Sequence, residues 1–468
     1  MVTETVVLCP GCGHGNDSGA SYCRECRTLL DRGPRVSPEE ARDIEARRLS
    51  RMRRRRIIRW AVVAVLVVIA AAGATAYTTI GPGKELDPPT TSIGVVSAPG
   101  DWPMYQGDPT HSGFIRESQP EPVGEVQWQF RTGAPLFAAP SVVGDTVYLS
   151  AGDRRIVALD VQSGEVKWEH SVTGPVNSSP AIADSLVFVG LRDGRLLALD
   201  KETGVLHWEY QTGDLVYGSP AVHEGVVYIG SGDSRIYALD ALTGELLWSR
   251  KTGGRVVASP AISDDFVVVL SQDQRIYIYD TKTGGFRLDY LTREVRGAPS
   301  IDDDLAYVGN ARSIVYAIDL QQRQLPFEKT ARFIRTQLFF WGLWNTLPVI
   351  KGFEWAYRSP GEIFQGAPAL DDEKVYAVSE SGGVYALNKS SGERVWKFRA
   401  DGETRGDPSL AGDTLYIADT DGTVYGLDRA TGEELWRFEL NDRVSTAVVV
   451  ANEMLFVSSD RGVLYAIR

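Results

Sequence analysis

The sequence predicts an all-β protein, an eight-bladed β-propeller closed by an N-terminal strand and preceded by a small cysteine-bound zinc unit and one transmembrane helix. Three observations predict it. Tryptophan recurs with a period of 40 residues from Trp128 onward. Each period holds four short apolar runs separated by Gly-rich turns, the arithmetic of a propeller blade. Ahead of the repeats, all four cysteines fall within the first 26 residues, and an uncharged run of 18 residues, Trp60 to Tyr77, follows eight closely spaced arginines.

Residues 1–32 come first. Cys9-Pro-Gly-Cys12 and Cys23-Arg-Glu-Cys26 are two CxxC knuckles of the kind that wrap one tetrahedral ion, and four thiolates suit Zn²⁺. So short a segment buries too little surface to fold unaided, so metal binding would supply its folding free energy. The run CPGCGHGNDSGASYCRECRTLL resembles the zinc ribbons at the N-termini of bacterial membrane proteins. With four cysteines no coordination position stays open, which implies a structural Zn²⁺ and a docking or folding role. His14 is an alternative ligand, and a redox dithiol is the rival chemistry.

Residues 37–59 read as a basic juxtamembrane helix. Ser37 at the cap, Pro38 at the first position and Glu40 three residues after the cap mark its start. Arg47, Arg48, Arg51, Arg53 to Arg56 and Arg59 then lead into the apolar run. As a helix at ~1.5 Å per residue that run spans ~27 Å, close to the hydrocarbon thickness of a bilayer. A transmembrane helix over 57–80 is therefore expected. A cleaved signal peptide, suggested by Ala74-Thr75-Ala76, would lack the 59-residue charged preamble, and a core helix would not adjoin eight arginines. The positive-inside bias places the N-terminus in the cytoplasm and the rest outside, in a bacterial plasma membrane. Residues 81–100, rich in Pro, Thr, Ser and Gly, read as a linker.

The propeller occupies 101–468. Trp168, Trp208, Trp248, Trp396 and Trp436 each follow an Asp-x-x-x-Gly or Asn-x-x-x-Gly turn, as in Asp200-KETG-VLH-Trp208. Trp355 continues the series, and Leu288 stands in the fourth unit. These tryptophans are expected to dock between blades. The last stretch, 444–468, supplies only three strands, and the spare strand around Trp128 precedes the first unit, so the chain ends should zip together. The repeated aspartates read as Asx turns rather than Ca²⁺ ligands, because a residue present in nearly every blade serves the blade.

The unit SPAIADSLVFVG…DGRLLALDKETGVLHW resembles the PQQ-type propeller repeat of quinoprotein alcohol dehydrogenases and of the β-barrel assembly lipoprotein of Gram-negative outer membranes. The lead-in from Trp102, WPMYQGDPTHSG, is similar to the N-terminal stretch of the same families. The resemblance implies an eight-bladed PQQ-like propeller. For the dehydrogenases it also implies PQQ held between a disulfide of adjacent cysteines and a tryptophan, with Ca²⁺ and a catalytic Asp. No cysteine lies beyond Cys26, so that sandwich cannot be built and PQQ is not expected.

Columns that vary between blades are free for binding. Three residues before the repeated Pro stand Phe137, Asn177, Tyr217, Val257, Arg296, Gln365 and Arg405, with Val444 taken as the eighth equivalent. They should ring one mouth of the axial channel, where an anionic ligand or a peptide would fit. His207 beside Trp208 reads as a packing or surface residue. In the fifth unit Trp355 comes 36 positions after Asp319, where eight are usual. The insertion, 320–352, carries Phe333, Phe339, Phe340, Trp341 and Trp344, too apolar for a plain loop. It should form a short helix that grips a partner protein, lies on the outer leaflet, or folds back on its blade.

Residues 91–468 hold 35 basic and 51 acidic side chains, which argues against nucleic acid as a partner. The expected function is a membrane-anchored, non-enzymatic interaction scaffold or ligand-binding module, with protein partners outside and a cytoplasmic partner for the zinc ribbon. The rivals are a PQQ-dependent oxidoreductase and a sensor that relays outer ligand binding to the ribbon.

Overall fold

Short apolar runs of period two form strands, and here each run also meets apolar partners on both faces. Thr146–Ala151 and Phe266–Ser271 are buried at every position, because neighbouring sheets cover them above and below. The outermost run of each repeat keeps the alternation instead: in Val166–Ser171, Trp168 is buried between exposed residues. This computed structural model describes residues 5–10, 12, 14–31, 33–44, 46–47, Trp60, Ala64, Val65, Val68, 98–116, 124–294, 297–325, 327–346, 348 and 351–468.

The chain divides into two units, Met1–Thr79 and Ile80–Arg468. In the first, Val6–Leu8 pairs antiparallel with Gly15–Asp17 and with Arg35–Val36. Its core is Val7, Cys9, Cys23 and Leu30. A helix starts at Pro38 behind a capping box: the Glu40 amide donates to Ser37 Oγ at 3.2 Å, and the Ser37 amide donates to Glu40 Oε2 at 3.1 Å. Among the described residues no helix is long and apolar enough to cross a membrane. Most of the expected span 57–80, the arginine run beyond Arg47 and linker residues 81–97 lie outside the described residues.

In the second unit, eight sheets of four antiparallel strands follow one another among the described residues, the seventh with a fifth strand added in parallel. The first runs Ser141–Val143, Thr146–Ala151, Arg155–Asp160, Val166–Ser171. The eighth takes three strands from the C-terminus and borrows its outer strand from Val126–Arg131, in register Val463 with Arg131 through Ile467 with Val126. The amides of Glu125 and Arg468 exchange hydrogen bonds of 3.0 and 2.9 Å at this seam. Apolar residues of the first, seventh and eighth sheets share one core cluster, Val142, Leu149, Tyr416, Val449, Phe456 and Leu464 among them.

Neighbouring sheets are riveted by tryptophan. Trp168 Nε1 donates to the Lys201 carbonyl at 2.8 Å, Trp208 to Ala241 at 3.0 Å and Trp355 to Lys389 at 2.8 Å, each on the Asp- or Asn-led turn of the following sheet. The turns are Asx turns: Asp200 Oδ1 accepts from the Glu202 and Thr203 amides at 3.2 and 2.8 Å. Their glycine is obligatory. Gly204 has φ +67°, and a Cβ there would stand 2.5 Å from the Trp168 ring.

Candidate functional site

Residues 101–116 tie the first strands of six sheets together. Trp102 exchanges backbone hydrogen bonds with Val142 in the first sheet. The Ile182, Ile262, Ile301, Leu370 and Leu410 amides then donate to the carbonyls of Pro103, Pro109, Thr110, Ser112 and Gly113. Phe114–Ile115 finally adds a parallel strand to Ser409–Ala411. The segment separates two cavities. One, of about 540 Å³, is lined by Asp101, Asp108, Thr110, Arg116, Asp302, Asp371 and Lys389. The other, of about 240 Å³, is the funnel mouth.

Phe137, Asn177, Tyr217, Val257, Gln365 and Arg405 line that mouth, and Phe137 is 58 % exposed. Arg192 donates to Tyr217 Oη at 3.1 Å and lies 5.0 Å over its ring, which fixes the tyrosine. Arg296 lies outside the described residues. Val444 requires correction: it is buried and bridges Ser459, as Val176 bridges Leu191, and Ser445 takes the eighth place in the lining. The cause is a lost landmark. Val448 replaces the repeated Pro, and its carbonyl accepts from Ser409 Oγ at 2.6 Å as Pro180 accepts from Ser141 and Pro368 from Ser300.

Two residues of the funnel floor had no signal strong enough to single them out. Asp407 occupies the column where other blades carry Ala or Ser, and it accepts from Tyr105 Oη at 2.8 Å and from the Ala367 amide at 2.9 Å. Burial pushes its carboxyl up to about 6, against the pull of the Tyr105 hydrogen bond. Burial also raises the Tyr105 phenol well above its ordinary value. His111, which stacks edge-on to Tyr105 at 4.8 Å, is pushed down to about 4 by burial. The interrupted Ala/Ser column was the available clue to Asp407; Tyr105 shows nothing until the lead-in is paired with the sheets.

The model of the family described as outer membrane protein assembly factor BamB matches residues 120–325, 343–441 and 402–468. The chain belongs to this family. No curated protein matches the chain. The solved structure of BamB from Moraxella catarrhalis is similar at 20% identity and TM-score 0.58, covering 74% of this chain and 97% of that one. The quinohemoprotein alcohol dehydrogenase from Comamonas testosteroni is similar at 16% identity and TM-score 0.62, covering 79% and 81%. The computationally designed Ika8 protein reaches 16% and 0.60, covering 72% and 97%. At these identities the likeness is one of fold, a PQQ-like propeller.

PQQ itself does not fit the mouth of this BamB-family propeller. Neither a cysteine nor a tryptophan lines the cavity, so both faces of the expected sandwich are missing from it.

In the first unit, the Sγ atoms of Cys9, Cys12, Cys23 and Cys26 lie within 4.8 Å of one another. The Cys9–Cys26 and Cys12–Cys23 separations are both 3.4 Å, close to the ~3.8 Å edge of a tetrahedron with Zn–S bonds of ~2.3 Å. The donor set therefore fits a structural Zn²⁺. The Thr28 hydroxyl, 3.1 Å from Cys26 Sγ, is the main cause lowering that thiol to about 6.

The insertion of this BamB-family chain forms a helix, Glu328–Phe340, that buries none of its residues. It is rooted on the outer strand of the fourth sheet. Lys329 Nζ pairs with Asp289 at 2.7 Å and the Gln324 amide donates to the Arg287 carbonyl at 2.8 Å, while within the insertion Lys351 pairs with Glu328 at 3.0 Å. That strand, Phe286–Leu291, accordingly loses the exposed alternation of its counterparts, and Asp289 is only 4% exposed. Leu288 stands where other sheets dock a tryptophan because the turn it faces is the inserted one: a Cβ on Gly352 would meet it at 2.6 Å. Phe333, Phe340, Trp341 and Trp344 are exposed, with Phe339 half-buried.

Proposed function

We propose that this protein is a non-enzymatic scaffold of the cell envelope, anchored through residues 57–80, whose eight sheets close into one ring and whose funnel mouth receives a protein partner. The observation that supports this is the mouth itself, a cavity of about 240 Å³ lined by an exposed Phe137, by Tyr217 held by Arg192, and by Tyr105 and Asp407. A polar and aromatic cavity of this kind suits a peptide tip or loop. Membership in the assembly-factor family agrees with an envelope location and protein partners.

The test is a photocrosslinker, p-benzoylphenylalanine, at position 137 of the full chain in its source cells. An adduct of defined mass that is absent when the same group is placed at the exposed Val205, and that is lost with Arg405→Ala, supports the reading. Equal crosslinking at both positions defeats it.

The likeness of fold to alcohol dehydrogenases carries the second reading, a PQQ-dependent oxidoreductase. Dye reduction by the purified full chain with added PQQ and Ca²⁺ would establish it; the unsuited cavity lining predicts none. The first unit is proposed to hold one Zn²⁺ on Cys9, Cys12, Cys23 and Cys26, as a docking module for a cytoplasmic partner. One equivalent of zinc in the purified chain, absent after Cys9→Ser and Cys12→Ser, is the expected result. A relay from the funnel to this module is the third reading, and it requires ribbon binding that changes when the mouth is occupied.

A further inference from the structure

The insertion helix is amphipathic in the wrong direction for a part of its own domain. At 100° per residue, Glu328, Lys329, Arg332, Thr336 and Phe339 share one arc, and Glu328, Lys329 and Arg332 line a cavity of about 290 Å³ against Asp289, Tyr290 and Tyr316. The opposite arc carries Phe333, Ile334, Phe340 and Trp341, which are 64%, 51%, 71% and 69% exposed. Leu343 and Trp344 continue it at 68% and 43%. A surface helix ordinarily turns its apolar arc toward the core; this one is tied down by ion pairs and holds its apolar arc in solvent.

Charge identifies what covers that arc. Residues 320–352 hold five basic side chains (Arg323, Lys329, Arg332, Arg335, Lys351) and one acidic, Glu328, within a domain that is strongly acidic elsewhere. Arg335 lies 5.6 Å over the Trp344 ring, so part of this charge sits directly beside the exposed aromatics. Trp and Phe flanked by arginine are the composition of helices that lie in a bilayer interface, with apolar residues in the acyl boundary and cations among anionic headgroups. A protein groove of like apolarity would ask for no such concentration of one sign. In the sequence, the apolar run Trp60–Tyr77 precedes the domain by a short Pro- and Thr-rich stretch.

We propose that the blade-five insertion docks on an anionic lipid bilayer surface, with Phe333, Ile334, Phe340, Trp341, Leu343 and Trp344 entering the interface and Arg335, beside Trp344, meeting headgroup phosphates. This adds a second contact to the protein and is independent of the funnel reading. It would fix how the propeller mouth is presented above the membrane.

The test is hydrogen exchange on the full chain in lipid nanodiscs of phosphatidylcholine with or without phosphatidylglycerol, followed across Glu328–Phe340, with Ile314–Asp319 as the folding control. Slower exchange of the helix in the anionic discs by several-fold, abolished in F340S/W341S and reduced about fivefold in R335Q, is expected. Equal exchange in both disc types overturns the proposal. So does protection that appears only when envelope proteins are added, which would assign the face to a protein. Loss of funnel crosslinking with helix protection intact would sink the scaffold reading alone.

Discussion

Asp407 sits at the floor of the funnel as a buried acid whose two hydrogen bonds do not fully offset its desolvation. Its folded-state pKa, about 6, is above the ordinary value of 3.8, so the folded protein holds this proton more tightly than the unfolded chain. Stability from this group is therefore greatest below about pH 4 and falls as pH rises through about 6. Asp407→Asn should raise stability at pH 7 to 8 by on the order of 2 kcal/mol, with no gain at pH 4, measured by denaturant titration at both pH values. Glu362 behaves in the opposite sense. Burial opposes its charge, but the Ser379 and Tyr385 hydroxyls at 2.7 and 2.9 Å, with Ser381 and Lys397, hold it down to about 2. Its contribution is complete above about 4.5 and is lost as pH falls toward 2. Glu362→Gln should cost on the order of 2 kcal/mol at pH 7 and flatten the acid limb of the stability profile.

At the scale of the element, the turn that leads the outer strand is where local and interblade geometry meet. Gly204 must be left-handed for the Asx turn and bare for the Trp168 ring, so Gly204→Ala should cost about 2 kcal/mol or more, read from thermal or denaturant unfolding. Ser163→Ala, in an exposed turn where Asp160 still accepts from two amides, should cost well under about 1 kcal/mol and serves as the contrast. Trp436 lacks this rivet among the described residues: its buried Nε1 has no hydrogen-bond partner there, and the sheet it faces is the one where the chain ends pair. The blade-five insertion is an element of another kind, joined to its sheet by ion pairs. Asp289→Ala removes the partner of Lys329 and Arg275 and should raise hydrogen exchange of Glu328–Phe340 severalfold while leaving Ile314–Asp319 unchanged.

Across the second unit, the last sheet is completed by one borrowed strand. Trp128 docks into the first sheet's turn, donating to the Val161 carbonyl at 3.0 Å, while its strand completes the last sheet. Trp128→Ala should cost about 3 to 5 kcal/mol, and exchange should rise first at Val463–Ile467, where the terminal strands pair. Segment 101–116 adds a second long-range tie, since it hydrogen-bonds the first strands of six sheets. Both ties join the N-terminal part of the domain to sheets built from the far end of the chain, so this topology is expected to fold slowly for its size.

Strand order, the riveting tryptophans and the pairing of the chain ends follow from periodicity alone, because each repeat is a local unit whose turn and apolar alternation are set by residues within a few positions of one another. The cysteine cluster was legible for the same reason, since two short knuckles leave little freedom of arrangement. Where the periodic landmark failed the reading slipped by one residue: Val448 in place of Pro put Val444, rather than Ser445, at the mouth. Tyr105 and Asp407, some 300 positions apart, meet only because the lead-in pairs with the first strands of successive sheets, a contact that neither segment's local pattern encodes. Which face of the insertion meets solvent was likewise decided by tertiary structure. The composition of 320–352 allows either face to be covered, and it is the ion pair of Lys329 with Asp289, on a strand of the preceding sheet, that turns Phe333, Phe340 and Trp341 outward.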